Sequence, residues 1–141
     1  MIVYVDTSAL VKRYVEEPGS DQVDRVLAAA TVVATSRVAY PEARAAFARR
    51  AREGGLTRPQ FKRVVARLDL ELGAWVWVEL DAAVAREAGR LAEAHALCGF
   101  DAIHLSSALV LKAAFTGQGV SFMAFDDRLG RAALLEGLAE V

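Results

Sequence analysis

Strand-like and helix-like segments alternate along this chain, which predicts an α/β fold: a three-layer sandwich with a mainly parallel central sheet of four or five strands, plus a helical arm. Three observations carry that expectation. Four apolar runs rich in β-branched and aromatic residues, Ile2–Val5, Thr31–Thr35, Trp75–Leu80 and Val120–Phe125, have the length and composition of strands, and Leu138–Val141 offers a short fifth. Segments of helical periodicity lie between them. No Pro-, Gly- or Ser-rich linker, repeat or low-complexity stretch divides the 141 residues, so 1–141 reads as one domain, long enough to bury a core without disulfide or zinc.

Each helix has a local signal. Thr7 or Ser8 is placed to cap a first helix reaching about Glu16, which Pro18-Gly19 ends, and Ser20 or Asp21 to cap the next. Two consecutive helical patterns, about Arg37–Arg52 and Arg58–Leu72, form the arm, and Thr57-Arg58-Pro59-Gln60 has the form of a capping box with proline in the first turn. Asp81 caps a helix to about Leu97, with Gly99 placed to end it. A long helix from about Ala102 to Phe115 then precedes the loop Thr116-Gly117-Gln118-Gly119. Trp75 and Trp77 share one side of their strand, where apolar neighbours favour burial over base stacking. The spacing of Val84, Leu91 and Leu97 reads as core or subunit contact.

Composition narrows the class. At 55% hydrophobic and 25% charged the chain is globular rather than disordered. Met1–Val5 runs straight into Asp6, too short for a signal peptide or membrane span, so a cytoplasmic protein is expected. Cys98 is the only cysteine, which excludes an internal disulfide and a cysteine-cluster metal site. Net charge is −1, but its distribution is uneven: between Arg37 and Arg67 nine basic residues face only Glu42 and Glu53, a local excess of +7. Such asymmetry suits a polyanionic partner on one face, or a pair of solvated arginine-rich helices.

In an open α/β sheet, ligands bind beyond the carboxyl ends of the strands. Asp6 directly follows Ile2–Val5, Asp126 directly follows Val120–Phe125, Asp101 opens the helix Ala102–Phe115, and Glu42 lies near the start of the helix after Thr31–Thr35. Singly, each aspartate reads as a helix cap, and Glu42 as a solvated residue or a partner of Arg44. Together, four carboxylates on one rim repel one another unless a cation makes their ionisation favourable. Hard oxygen ligands suit Mg²⁺ or Mn²⁺, which keep several waters and take one or two carboxylates plus a substrate phosphate. Such a site activates water for phosphodiester hydrolysis without a catalytic His or Cys. His104, three residues after Asp101, shares its helix face and reads as packing against the rim rather than as an acid or base, and His95 as an ordinary residue near a helix end.

Other phosphate chemistries fail on detail. A haloacid-dehalogenase-type phosphatase needs a second Asp two residues after the first, where Ser8 stands; a receiver domain pairs its acids with a lysine after a late strand, whereas Lys112 falls in a helix. There is no Walker lysine loop, and Gly117-Gln118-Gly119 lacks the context of a dinucleotide fingerprint.

At the four acids the chain resembles the PIN-domain family. Ile2-Val3-Tyr4-Val5-Asp6-Thr7-Ser8-Ala9-Leu10 is similar to the family's opening strand and first acid. Ser36-Arg37-Val38-Ala39-Tyr40-Pro41-Glu42 matches the segment of the second acid, Phe100-Asp101-Ala102-Ile103-His104-Leu105 the third, and Met123-Ala124-Phe125-Asp126-Asp127-Arg128-Leu129 the fourth. The match runs in order over nearly the whole chain and is nearest to VapC-type toxins. It implies a Mg²⁺- or Mn²⁺-dependent endoribonuclease whose metal-binding, catalytic acids are Asp6, Glu42, Asp101 and Asp126, with Ser8 supporting Asp6. It also implies an RNA substrate, a VapB-type antitoxin and a homodimer. The alternative is a catalytically silent PIN-like module that only binds RNA or protein. Two departures stand out. Ala124 replaces the Thr or Ser often found two positions before the fourth acid, and Asp126 is followed by Asp127; Asp126 is chosen because it comes first after the strand, with Asp127 a supporting residue and the better helix cap. Arg49, Arg50 and Arg52 on the arm are the expected RNA contacts.

Overall fold

The first strand becomes the centre of the sheet. In the computed structural model, which describes residues 1–141, β1 (Ile2–Val5) pairs in parallel with β2 (Val32–Ser36) on one side and β4 (Val120–Met123) on the other. β3 (Val76–Val78) adds to β2 and β5 (Ala139–Glu140) to β4, giving five parallel strands in the order β3-β2-β1-β4-β5. The chain therefore builds outward from β1 in one direction, then returns to build in the other. The crevice between β1 and β4 is the switch point where open α/β sheets bind ligands.

Parallel strands need crossovers, and helices cover both faces. One face carries α5 (Ala82–His95), α6 (Gly99–Ala114) and α7 (Asp127–Leu135), which pack on Ile2, Tyr4, Ala34, Val120 and Phe122. The other carries α1 (Thr7–Tyr14), α3 (Ala39–Arg52) and α4 (Arg58–Leu72), which meet Val3, Val5 and Met123 through Leu10, Phe47 and Leu68; α2 (Ser20–Ala29) inserts Val23 there as well. Successive residues of β1 thus feed opposite cores, and all four are buried, as period-two alternation through a covered sheet requires. Val84, Leu91 and Leu97 belong to the first core, while Trp75 and Trp77 are half-buried against the second.

Several boundaries differ from expectation. The first helix is capped by Asp6, whose side chain accepts from Ala9 N, because the turn leaves the strand one residue earlier than a Thr7 or Ser8 cap requires. Gly19, left-handed at φ +99°, precedes α2; Ser20 is its first residue and uses its hydroxyl to accept from Glu17 N and donate to Lys12 O. Ala96, at φ +52°, ends α5 in the conformation expected of Gly99, and Gly99 instead begins α6. That moves Asp101 from the helix's opening to its first turn. At α7 it is Asp126 that caps, accepting from Leu129 N, while Asp127 is already helical. β3 is only three residues long. The helical arm lies on the sheet rather than projecting from it: Phe47 of α3 and Leu68 of α4 are fully buried. No single helix is long and apolar enough to cross a membrane.

Candidate active site

Asp6 leaves β1 at the switch point and is 4% exposed. Its backbone N–H donates to Met123 O at 3.0 Å, continuing the β1–β4 ladder one residue past the strands. Its carboxylate accepts from Ala9 N at 2.9 Å and from the Ser8 hydroxyl at 2.8 and 2.9 Å to its two oxygens. Ser8 Oγ in turn accepts from Phe125 N at 2.9 Å, tying the turn after β4 to the turn after β1. Burial pushes the Asp6 carboxyl above its usual range, against these hydrogen bonds, which favour the ionised form.

Glu42 belongs to a second, wired group. Thr7 Oγ1 donates to Glu42 Oε1 at 3.0 Å; His104 Nε2 lies 2.9 Å from that same oxygen and 2.9 Å from Thr7 Oγ1; and Tyr4 OH is 2.9 Å from His104 Nδ1. His104 is 1% exposed and Tyr4 fully buried. Burial, reinforced by the charges of Asp6 and Glu42, holds the Tyr4 phenol well above its usual pKa, so it remains an O–H donor. A Tyr4 proton on Nδ1 leaves the other ring nitrogen to carry N–H towards Glu42, which fixes the carboxylate's position through β1 and α6.

The remaining acids are open. Asp101 from the first turn of α6, Asp126 at the cap of α7 and Asp127 line one cavity of about 520 Å³ with Ala96, Cys98, Phe125 and Arg128. None of the three carboxylates has an ion-pair partner; the guanidinium of Arg128 donates to Ala96 O instead. A larger cavity, about 660 Å³, lies elsewhere, between Arg37, Tyr40, Pro41, Leu72, Trp77 and Leu80 at the β3 edge. It is mostly apolar and contains none of the four acids, so it is not where charge-driven hydrolysis is sought.

Comparison with known proteins gives the family of the chain. Residues 3–135 match the PIN domain family. Ribonuclease VapC45 of Mycobacterium tuberculosis is 42% identical over 110 residues, 78% of this chain and 76% of that protein. The chain belongs to the PIN-domain family. Its fold recurs in VapC20 of Mycobacterium tuberculosis, a sarcin-ricin loop cleaving toxin, at TM-score 0.68 and 19% identity over 99% of this chain and 98% of that one. It recurs also in a toxin–antitoxin complex from Klebsiella pneumoniae, at TM-score 0.63 and 16% identity over 90% and 89% of the two chains.

Within this PIN domain the structure brings Asp101 and Asp126 to one cavity, links Asp6 to that cavity through Ser8 and Phe125, and joins Glu42 to the β1 end through Thr7. No three acidic, His or Cys side chains close into a cage of their own. That donor set fits a hard divalent cation, which keeps most of its waters and needs few carboxylates. Nearby positive charge would also offset the cost of ionising buried Asp6. Asp127 stands beside Asp126 at the mouth rather than capping α7. Arg49 and Arg52 are exposed and unpaired, whereas Arg50 is half-buried and ion-paired with Glu17.

Two participants escaped the sequence reading. Tyr4 reads as a core strand residue, and nothing in its neighbourhood announces a histidine 100 positions away. Thr7 was legible only as a cap; its place between Asp6 and Ser8, facing the second acid, was the available signal. His104, expected to pack on the rim, does so, but as the hub of three hydrogen-bonding partners. His95 bonds Glu136 at 2.7 Å, away from the rim.

Proposed function

We propose that this chain is the toxin of a VapBC-type pair, an endoribonuclease acting in the cytoplasm on RNA, with Asp6, Asp101 and Asp126 holding Mg²⁺ or Mn²⁺ and Glu42 completing the catalytic set. The observation that carries this reading is the cavity between the starts of α6 and α7, where Asp101 and Asp126 stand without a basic partner, in a chain akin to a VapC ribonuclease. When bound, the cation supplies positive charge opposite the phosphate oxygens and a water of lowered pKa. The chain's own residues do the rest. Ser8 and Ala9 aim the Asp6 carboxylate, and Ser8 couples it to the β4 end. Thr7 and His104 hold Glu42 by one oxygen, Oε1, leaving Oε2 to accept a proton from the attacking water. Asp127 supports the mouth, and Arg49 and Arg52 offer phosphate contacts that orient the strand.

A VapB-type antitoxin partner is supported by the relative's VapC name and by the likeness to a toxin–antitoxin complex. Pairing with a second copy would cover apolar side chains left exposed on α6 and α7, Val110, Leu134 and Leu135. The test is cleavage of a structured and an unstructured RNA by purified protein, with and without Mg²⁺ or Mn²⁺. Metal-dependent internal cuts that vanish in Asp101→Asn support the reading. Well-folded wild type that cuts neither RNA with either metal would return it to a binding module.

A further inference from the structure

Eleven side chains of this protein are aromatic, and only two, Phe100 and Phe125, are exposed, at 54% and 37%. Each immediately precedes a candidate catalytic acid: Phe100 precedes Asp101 on the first turn of α6, and Phe125 precedes Asp126 at the cap of α7. Burying a phenylalanine is worth about 1.5–3 kcal/mol, and the other nine rings of the chain are at least partly withdrawn from water. The two left in water each adjoin an acid of the site in the chain, and Phe125 lines the acids' cavity.

Phe125 is moreover held in place. A Cβ on Gly19 would lie 2.5 Å from its Cε1, so the ring rests directly against the glycine backbone, which is itself left-handed at φ +99°. The Lys12 ammonium sits over the ring, 4.7 Å from its centroid, and is anchored in turn by Glu17 at 2.8 Å. The Phe125 N–H donates to the serine that grips Asp6. Ring and acid therefore share one support, and Phe125 lines the same cavity as Asp101 and Asp126.

We propose that Phe100 and Phe125 are stacking residues that seat the bases of single-stranded RNA next to the scissile phosphate and so place that phosphate at Asp101 and Asp126. The inference rests on the ribonuclease reading above. Unpaired RNA is recognised largely by bases stacked on aromatic rings, with little dependence on sequence. A protein segment without basic side chains that covered Phe125 would have to bury the unpaired carboxylates of Asp101, Asp126 and Asp127 with it, a costly desolvation. A nucleotide stacks on the ring and leaves the carboxylates to cation and water.

The test uses full-length, cleavage-silent Asp6→Asn protein in excess Mg²⁺, with fluorescence anisotropy on a short oligoadenylate and on an abasic ribose-phosphate strand of equal length. The parent is expected to prefer oligoadenylate. Phe100→Leu and Phe125→Leu should each erase about tenfold of that preference, since Leu keeps apolar volume but cannot stack, and Phe→Tyr should restore it. Leucine variants with unchanged preference overturn the proposal. If they instead lower self-association in sedimentation and leave RNA binding alone, the rings are subunit contacts and the proposal also falls. A parent that binds neither strand overturns it as well. In that case wild-type cleavage tells which reading failed: intact cleavage condemns the stacking residues alone, and absent cleavage condemns the ribonuclease.

Discussion

The two halves of the rim hold their acids in opposite ways. On the β2 side, Glu42 is wired: Thr7 and His104 meet one of its oxygens, Tyr4 holds the histidine, and the hub is buried. On the β4 side, Asp101, Asp126 and Asp127 face an open cavity with no basic side chain paired to them. A carboxylate fixed by several bonds has its direction determined before any ligand arrives, and reorients little when one does. Unpaired carboxylates around a polar opening keep their oxygens free for a cation when one arrives. The wired half supplies geometry and the open half supplies charge, with Asp6 between them: buried like the first, and coupled through Ser8 to the second.

That division sets the order of effects. The largest belongs to the open half. Asp101→Asn should lower metal-dependent RNA cleavage by roughly 10³-fold, several kcal/mol of transition-state stabilisation, and Asp126→Asn should do likewise. Asp127→Asn should cost far less, because Asp127 is already inside α7 whereas Asp126 caps it. Single-turnover rates across a Mg²⁺ titration distinguish these. If Asp127→Asn proves the more damaging, the fourth acid has been placed one residue too early.

Next comes the wired half. Tyr4→Phe removes one hydroxyl and leaves His104 Nδ1 without its partner. Losses of this kind around a metal site amount to about 10–100-fold in activity or metal affinity. The loss is expected in kcat rather than KM, with about 1–2 kcal/mol of stability. His104→Ala should be worse on both counts, and Thr7→Val should fall between. Wild-type kcat in a stable Tyr4→Phe protein would make the network mere packing.

Much of this contrast was hidden in the sequence for definite reasons. Every strand was legible, because apolar runs survive wherever a sheet is covered on both faces. The four candidate acids stood out because chain order places each at a strand end or helix start. Strand order was not legible, and strand order is what makes β1 and β4 neighbours and lets the turns that carry Asp6 and Asp126 meet through Ser8 and Phe125. The caps fall one or two residues before those expected at α1 and α2 and one before at α7, since neighbouring Asp, Ser, Thr and Gly all suit an N-cap and only the geometry of the turn selects among them. The Tyr4–His104 bond joins residues 100 apart and leaves no local trace. Charge counting found the basic arm but not its pairing: Arg50 is spent on Glu17.

The arm supplies a smaller effect. Arg49 and Arg52 are exposed and outside any ion pair, so if RNA crosses α3 they meet phosphate. Replacing both by Gln should reduce the slope of log Kd against log salt by about 1.4, near 0.7 per single-strand phosphate. Arg50→Gln should instead cost stability, about 1 kcal/mol or less for a half-exposed pair, and leave the slope alone. Fluorescence titrations at several salt concentrations read the slope. An unchanged slope in the double variant would take RNA off this face.

The smallest effect tests the comparison most directly, because buried Asp6 and open Asp101 predict opposite signs for the same chemical change. Asp6 has a folded-state pKa raised by burial. The native chain therefore binds a proton there more tightly than the unfolded chain does, and stability falls as pH rises from about 4 towards the folded-state value. Asn keeps the N-cap and carries no charge, so Asp6→Asn should melt above wild type in EDTA at pH 7, by about 3 °C for each kcal/mol recovered. The gain should fade near pH 3, where both states hold the proton. Asp101 is half-exposed in the first turn of α6, where a negative charge is favourable to the helix by about 0.3–1 kcal/mol. Asp101→Asn should then melt at or slightly below wild type in EDTA. Excess Mg²⁺ should reverse the first ranking: at about 100 times its dissociation constant the cation stabilises wild type by roughly 2.7 kcal/mol and either variant by less. Scanning calorimetry of the three proteins, with EDTA and with Mg²⁺, reads all of this. An Asp6→Asn protein that melts below wild type in EDTA at pH 7 would mean the bonds from Ser8 and Ala9 outweigh burial, and the buried acid would belong wholly to the wired half.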